Sequence, residues 1–538
     1  MAYSRFGDIS VKNREIARRE LLKGGATALL GAAIVPFGAP LLAEGVPQTS
    51  TANAGASKAM IKLDFDRKIG VIDRNIYGNF TEHLGRCIYG GIYDEGSPLS
   101  DSEGFRKDVL EAARAMHVSV LRWPGGNFSS GYNWKDGIGP KDQRPRRWDT
   151  AWQEEESNRF GTDEFIEYCR KLGAEAYICV NMGTGTMQDA ADWVEYCNAT
   201  TDTYWANLRK KNGHPEPYNV KYWALGNEVY GSWQAGHKDA AGYAADALEF
   251  GKMMRWVDPS IKLVACGGPG VDWNLPVLEK LVYLVDYISL HHYGGSTDTA
   301  KEFADAHSFE RQVQALDAVV TAAMSRTDKK ERVAIAVDEW NIWFRSWFHR
   351  GNNHMLEEVY NLRDALWIAS GLNMFHRYCQ TVKLADVAQL VNVIAPIMTS
   401  PTGMVLQTTY YPLKLYTEHC GTIALDALVR SDAFPNLPEV PYLDVSATTD
   451  EQNQKLTLAV VNRHPTDDIT VDIVIEGFRP RSSADLYEIN GASLDATNTF
   501  DHPNQVTAKQ TTVTGVGTNF HQKFSAHSVS VVVLRSQS

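Results

Sequence analysis

Cysteine is scarce, with 7 in 538 residues: Cys87, Cys169, Cys179, Cys197, Cys266, Cys379 and Cys420. The odd count and wide spacing make no compact disulfide framework, and no pair has zinc-finger spacing. His-Glu-x-x-His is missing, as are Gly-x-Gly-x-x-Gly and the lysine of a phosphate-binding loop. Gly267-Gly268-Pro269-Gly270 therefore reads as an ordinary loop. The expectation is no metal and no cofactor. Basic charge is in deficit, with 53 Lys and Arg against 65 Asp and Glu, a net −12. A nucleic-acid backbone would be repelled. Low-complexity tracts and short repeats are absent. What is present is ordinary globular material, 44% apolar and 22% charged. Aromatics reach 10%, including 14 Trp and 23 Tyr. Such rings suit the apolar faces of sugars and ordinary cores alike.

The first 55 residues read as a targeting segment. Arg18-Arg19-Glu20-Leu21-Leu22-Lys23 precedes an apolar run, Gly24 to Val35. This resembles a twin-arginine export signal, departing from the usual pattern at Ala17 and Leu21. The run is too short to span a bilayer, and Pro36 and Pro40 stop its extension, so no membrane anchor is expected in the mature protein. Ala52-Asn53-Ala54 offers a cleavage site, with Leu41-Leu42-Ala43 a weaker one. The alternative is a basic helix. Export places the protein in the periplasm or outside the cell. Cargo of that route folds before export, which suits a chain without a disulfide framework.

Between residues 73 and 400, short β-rich runs alternate with helical stretches. The runs are Ile76 to Phe80, Val118 to Trp123, Ala174 to Asn181, Val220 to Leu225, Ile261 to Cys266, Tyr287 to His291, Val333 to Val337 and Asn373 to Tyr378. The helical stretches are Glu103 to His117, Thr162 to Leu172, Ala240 to Val257, Ser308 to Met324 and Met355 to Ser370. Alternation of this kind predicts parallel βα units, and eight of them predict an α/β TIM (β/α)8 barrel. From residue 401 to 538 the pattern becomes β-branched and alternating, as in 456–462, 469–475 and 528–534. This predicts an all-β sandwich of jelly-roll type with no long amphipathic helix. Residues 56–72, with the alternating run Ala59 to Phe65, are expected to join that sheet.

Barrel chemistry collects at the C-terminal ends of the strands. The ends here carry Glu82 and His83, Arg122 with Pro124-Gly125-Gly126-Asn127, Asn181, Asn227-Glu228, His291-His292-Tyr293 and Asp338-Glu339-Trp340-Asn341. Glu228 and Glu339 each follow a buried run, on the fourth and seventh strands. Either alone reads best as an ion pair. Together they match glycosidic cleavage, which needs one carboxyl to protonate the leaving oxygen and another to attack or activate water. Glu82 has ion pairs with Arg86 or Arg122 as its plainer reading, and Asn127 a turn after two glycines. His291-His292 lacks a third ligand at metal spacing. Trp134 and Trp152 have core packing as theirs.

Four blocks together are specific: Asn75 to Gly91, Arg122 to Asn127, Gly226-Asn227-Glu228, and Asp338-Glu339-Trp340-Asn341. They resemble the α-L-arabinofuranosidases of glycoside hydrolase family 51, from about residue 58 to the C-terminus. The resemblance implies Glu228 as general acid/base and Glu339 as nucleophile of a retaining double displacement. It implies Glu82, Asn127 and Asn227 on the furanose hydroxyls, Tyr293 beside the nucleophile, and His291 and Gln389 as further pocket residues. Trp152 falls at the pocket edge. The implied substrate is an arabinofuranosyl-containing oligosaccharide or polysaccharide, cut from its end. A homo-oligomer is also implied, a hexamer among the options. Departures are Gly294-Gly295 after Tyr293 and the aromatic- and Arg-rich stretch 340–353. The latter reads as a subsite wall or as packing against a helix or second subunit. Rival readings are an endo-acting β-glucanase or xylanase or another furanosidase on the same barrel, and a non-catalytic carbohydrate-binding protein.

Overall fold

A computed structural model describes residues 59–343 and 354–537. The export segment and most of the aromatic-rich stretch, 344–353, lie outside the described residues.

Eight parallel strands close into a barrel: Gly78–Phe80, Val120–Trp123, Glu175–Val180, Tyr222–Leu225, Lys262–Ala265, Tyr287–Gly294, Ala334–Ile342 and Val382–Ala388. They are apolar because both faces are covered. Inward, Val120, Tyr177, Cys179, Tyr222, Ala224, Val264, Ala336 and Leu384 form one packed cluster. One step further along their strands, Arg122, Asp338 and Asp386 are also buried. The barrel's middle is therefore apolar and the layer beneath its mouth is ionic.

The helices Thr162–Leu172 and Ala240–Val257 span the expected residues. Gly173, at φ +80°, ends the first in a left-handed cap, a conformation glycine adopts without steric cost. Two others have different bounds: Glu103 to His117 is helical over Lys107–Ala115, and Ser308 to Met324 over Thr299–Met324.

Three expectations need correction. Asn373 to Tyr378 is not the eighth strand; most of it is the last turns of a helix, Leu362–Arg377. That helix starts later than Met355 because Asn361 and Asp364 form a reciprocal cap. It is buried nearly all round, polar residues such as Arg363, Ser370 and Asn373 included, and a short window of it resembles a buried strand. The true eighth strand carries an inward Asp386 that broke its apolar pattern. Beyond residue 401 a helix does occur, Tyr410–His419.

The all-β domain is a nine-stranded sheet around its own apolar core. Its central strands include Leu443–Thr449, Lys455–Asn462 and Ser528–Ser536. The N-terminal strand Ala59–Val71 joins it as expected. It pairs antiparallel with Ile423–Arg430 and parallel with Ile469–Glu476.

A buried ionic cluster joins sheet and barrel. Asp444, on the sheet, accepts from Asn373 Nδ2 at 2.8 Å and Arg377 Nη1 at 3.0 Å, both on the helix Leu362–Arg377. Arg463 also donates to it. The two guanidiniums hold the Asp444 carboxyl below the usual carboxylate range against the opposing effect of burial. Removing one partner of a buried cluster leaves the others uncompensated. Asp444→Ala is therefore expected to cost about 3–5 kcal/mol of stability, read as a lowered unfolding temperature. A change no larger than that of an exposed-site control would show that this cluster does not carry the junction.

Candidate active site

The sixth and seventh strands run on past their expected ends, to Gly294 and Ile342. Tyr293 and Glu339 therefore project from paired strand, where the backbone ladder pairs Glu339 with His291 just after a register shift between Ala336 and Glu339. Rigid placement follows from that pairing. Glu228 lies just beyond the fourth strand at φ +41°. Non-glycine residues rarely adopt that conformation, at a cost on the order of 1–3 kcal/mol, and it is common at functional sites.

Barrel closure brings the two glutamates together. Glu228, His291 and Glu339 each offer one side-chain atom, all within 4.8 Å of one another. Among the described residues, this is the one grouping of three His, Cys, Asp or Glu with spacing that suits a cation. The imidazole already links them, with Nδ1 3.1 Å from Glu228 Oε1 and 3.5 Å from Glu339 Oε2. Tyr293 Oη donates to Glu339 Oε2 at 2.7 Å. Burial and the Glu339 charge hold the Tyr293 phenol well above its ordinary range, so it stays protonated and donating.

Arg122 completes the nucleophile's setting. Its Nη1 donates to Glu339 Oε1 at 2.7 Å and its Nη2 to Asn227 Oδ1 at 2.6 Å. Asn227 Nδ2 remains buried with no hydrogen bond in the protein. A β-carbon on Gly126 would stand 3.0 Å from Glu339 Oε1 and 3.3 Å from Asn227 Nδ2, so a side chain there would crowd both groups. Asn127 follows it, half-buried, at the start of a short 3-10 turn.

Glu82 occupies a different environment. It pairs with neither Arg86, which binds Glu357, nor Arg122. Instead, Oε1 accepts from Trp152 Nε1 at 2.9 Å and the Phe128 amide at 3.1 Å. Gln389 Nε2 lies 3.3 Å from Oε2. Burial pushes the carboxyl up to about 8, aided by the Glu339 charge. A β-carbon on Gly125 would lie 2.4 Å from Glu82 Cγ, which explains the glycine. Glu228 and Glu339 have no part in the lining of a cavity of about 610 Å³ beside Trp152; Trp148, Glu154 and Arg86 are among its walls.

All nine sequence-singled residues thus fall at one barrel mouth, most of them in direct contact. Reading the sequence missed the part played by Asp338, Tyr177 and Tyr230, and the plainer reading of Glu82 as a partner of Arg86 or Arg122 does not hold. Tyr230 Oη donates to Glu228 Oε1 at 3.2 Å, and Tyr177 Oη to Asp338 Oδ2 at 2.8 Å. Only the position of Asp338 beside Glu339 offered a signal. His292 points elsewhere, against Asp305 and stacked on Phe309 at 4.3 Å. Trp134 is core, stacked on Trp193.

A raised carboxyl weakens folding at higher pH. Below 4.5 the folded and unfolded chains both hold the Glu82 proton. Between 4.5 and about 8 only the unfolded chain loses it, so stability falls as pH rises through that window. Glu82→Gln keeps the two acceptor contacts at Oε1 and removes the titration. The unfolding temperature of the variant minus that of the parent is expected to grow from pH 4.5 to pH 8. A constant difference would mean that Glu82 ionises as an ordinary glutamate.

Residues 112–312 match the α-L-arabinofuranosidase 1 domain, and residues 338–528 the α-L-arabinofuranosidase C-terminal domain. A probable α-L-arabinofuranosidase C of Aspergillus clavatus is 40% identical over 88% of this chain and 96% of its own. An intracellular exo-α-(1->5)-L-arabinofuranosidase 1 of Bacillus subtilis is 38% identical over 89% and 100%. The solved structure of a thermostable GH51 α-L-arabinofuranosidase from Thermotoga petrophila is 45% identical, covers 88% of this chain and 99% of that one, and superposes with a TM-score of 0.83. The chain belongs to glycoside hydrolase family 51 and is an α-L-arabinofuranosidase.

Proposed function

We propose that this enzyme releases single α-L-arabinofuranosyl residues from the ends of plant-type polysaccharide side chains or oligosaccharides, with retention of configuration. The observation that carries the retaining route is the carboxylate spacing, with Glu228 and Glu339 oxygens within 4.8 Å. Retaining enzymes hold the pair at roughly 5–5.5 Å, whereas inverting enzymes leave room for a water. Glu339 attacks the anomeric carbon as the bond to the leaving oxygen breaks, and Glu228 gives that oxygen its proton. Glu228 then takes a proton from water, which attacks the anomeric carbon and frees Glu339. Arg122 and Tyr293 hold the nucleophile's two oxygens and orient it. Glu82, Asn127, Asn227, His291 and Gln389 line the sugar pocket with Trp152 at its edge. The unpaired Asn227 Nδ2 suits a hydroxyl, in a contact that strengthens in the transition state. End-wise action has support in the exo activity that the Bacillus relative's name carries.

Export by the twin-arginine route and assembly as a homo-oligomer belong to the same proposal. Arg18-Arg19 and the apolar run behind it support export, against the intracellular placement in the Bacillus relative's name. The free cysteines, six of them buried, suit folding before export.

Glu339→Ala is expected to abolish turnover of an aryl α-L-arabinofuranoside. Glu228→Ala should still accumulate a covalent arabinosyl-enzyme with a dinitrophenyl leaving group, which needs no proton, as seen by mass spectrometry. NMR of the first-formed sugar should show the α-anomer. Full activity in both variants, or β-arabinose as first product, would overturn the assignment. Products ladder-like in length would point to endo action. Cell fractionation should find the native protein outside the cytoplasm and an Arg18→Lys, Arg19→Lys variant within it.

A further inference from the structure

Asp338 faces inward from the seventh strand, one position before Glu339, and is 1% exposed. Its carboxylate touches the side chains of Arg122 and His291. Arg122 Nε lies 3.6 Å from Oδ2, and His291 Nε2 3.3 Å from Oδ1. Both are ion-pair contacts rather than aligned hydrogen bonds. Tyr177 Oη donates to Oδ2 at 2.8 Å, and Arg122 Nη1 reaches the Asp338 carbonyl at 3.4 Å. The far ends of the same two side chains reach the glutamates: Arg122 binds Glu339 at 2.7 Å, and His291 contacts Glu228 at 3.1 Å and Glu339 at 3.5 Å.

We propose that Asp338 is a positioning residue for both catalytic glutamates, anchoring the nucleophile through Arg122 and the acid/base through a doubly protonated His291. The proposal rests on the roles of Glu228 and Glu339 given above. Its physical basis is the donor count of the imidazole. A neutral ring has one N–H and can donate on one side only. Here Nε2 faces Asp338 while Nδ1 faces Glu228 and Glu339, so both nitrogens meet carboxylates. Burial alone would strip the ring's charge, but Glu339, Asp338 and Glu228 outweigh it and raise His291 to about 10. Asp338 itself remains ionised: burial raises its carboxyl, and Arg122 and His291 together lower it below the usual range.

The arrangement also selects an oxygen. His291 and Tyr230 both approach Glu228 at Oε1. The transferable proton then belongs on Oε2. When Glu228 becomes the carboxylate base of the second step, the same Nδ1–H stabilises it. Asp338 thus acts on the acid/base one residue removed, much as a carboxylate orients a catalytic histidine elsewhere.

The test compares wild-type enzyme with Asp338→Asn on two aryl α-L-arabinofuranosides. Wild-type turnover checks the underlying assignment independently. The variant should lose about 10–100-fold in kcat, the scale found when the outer partner of a metal-binding histidine is removed, with KM within about threefold. The loss should be larger with a phenol leaving group than with dinitrophenol, because only the former needs Glu228 as acid. In wild-type enzyme carrying 15N-labelled imidazoles, the resonance missing from His291→Gln should stay doubly protonated through pH 8. It should titrate at lower pH in Asp338→Asn. Tyr177→Phe, which removes one hydrogen bond to Asp338, should lower kcat by a smaller factor; with the wild-type spectrum it decides the matter if Asp338→Asn does not fold. A kcat within about twofold of wild type in Asp338→Asn, an unchanged kcat in Tyr177→Phe, or a singly protonated His291 at pH 7 in the wild type would overturn the proposal.

Discussion

Arg122 is the constraint around which the barrel mouth is organised. Its guanidinium is 1% exposed, and burying a charge is expensive unless every direction is answered. Asp338 and Glu339 answer it electrostatically, and the Asn227 amide accepts from it. Those partners come from the seventh and fourth strands, whereas Arg122 stands on the second. One buried cation therefore ties three strands together and fixes where Glu339 and Asn227 point. The same interaction, together with the Tyr293 hydroxyl on the other oxygen, fixes the orientation of the Glu339 carboxylate.

Within a few ångströms the site keeps carboxyls in opposite states. Asp338 is held ionised by Arg122 and His291, whereas burial leaves Glu82 neutral up to about 8. Asp386, on the eighth strand in the same layer and without a hydrogen-bonded partner, is pushed well above the usual range by burial. Like charges so close together cannot all persist in a low-dielectric interior, and environment decides which do. Gly125 and Gly126 make this possible, because a side chain at either would strike the carboxyls or amide packed against them.

The sheet domain supports this arrangement at a distance. The helix Leu362–Arg377 leads directly into the eighth barrel strand, and Asn373, His376 and Arg377 on it bond to Asp444 and Ser446 of the sheet. The N-terminal strand enters the sheet before the chain turns into the first barrel strand, so both ends of the barrel's chain are anchored to the same body. Its alternating residues made that role readable. The helix was not readable as such because it is buried on nearly all sides, and the eighth strand was hidden by Asp386.

By itself the amino-acid sequence determined the repeating βα order, the apolar runs that become strands, and the polar residues that end them. Those are local properties, written in residue periods of two and three to four. Glu228 and Glu339 were legible because each stands alone at the end of such a run. Tertiary structure alone decided which charges meet: Arg122 with Glu339 rather than Glu82, His291 between two glutamates, and Asp338 behind both. Residues on one strand follow a local rule, but pairing across a mouth depends on closure and stagger of all eight strands. Protonation in turn depends on burial, which no single segment of chain possesses before the barrel closes.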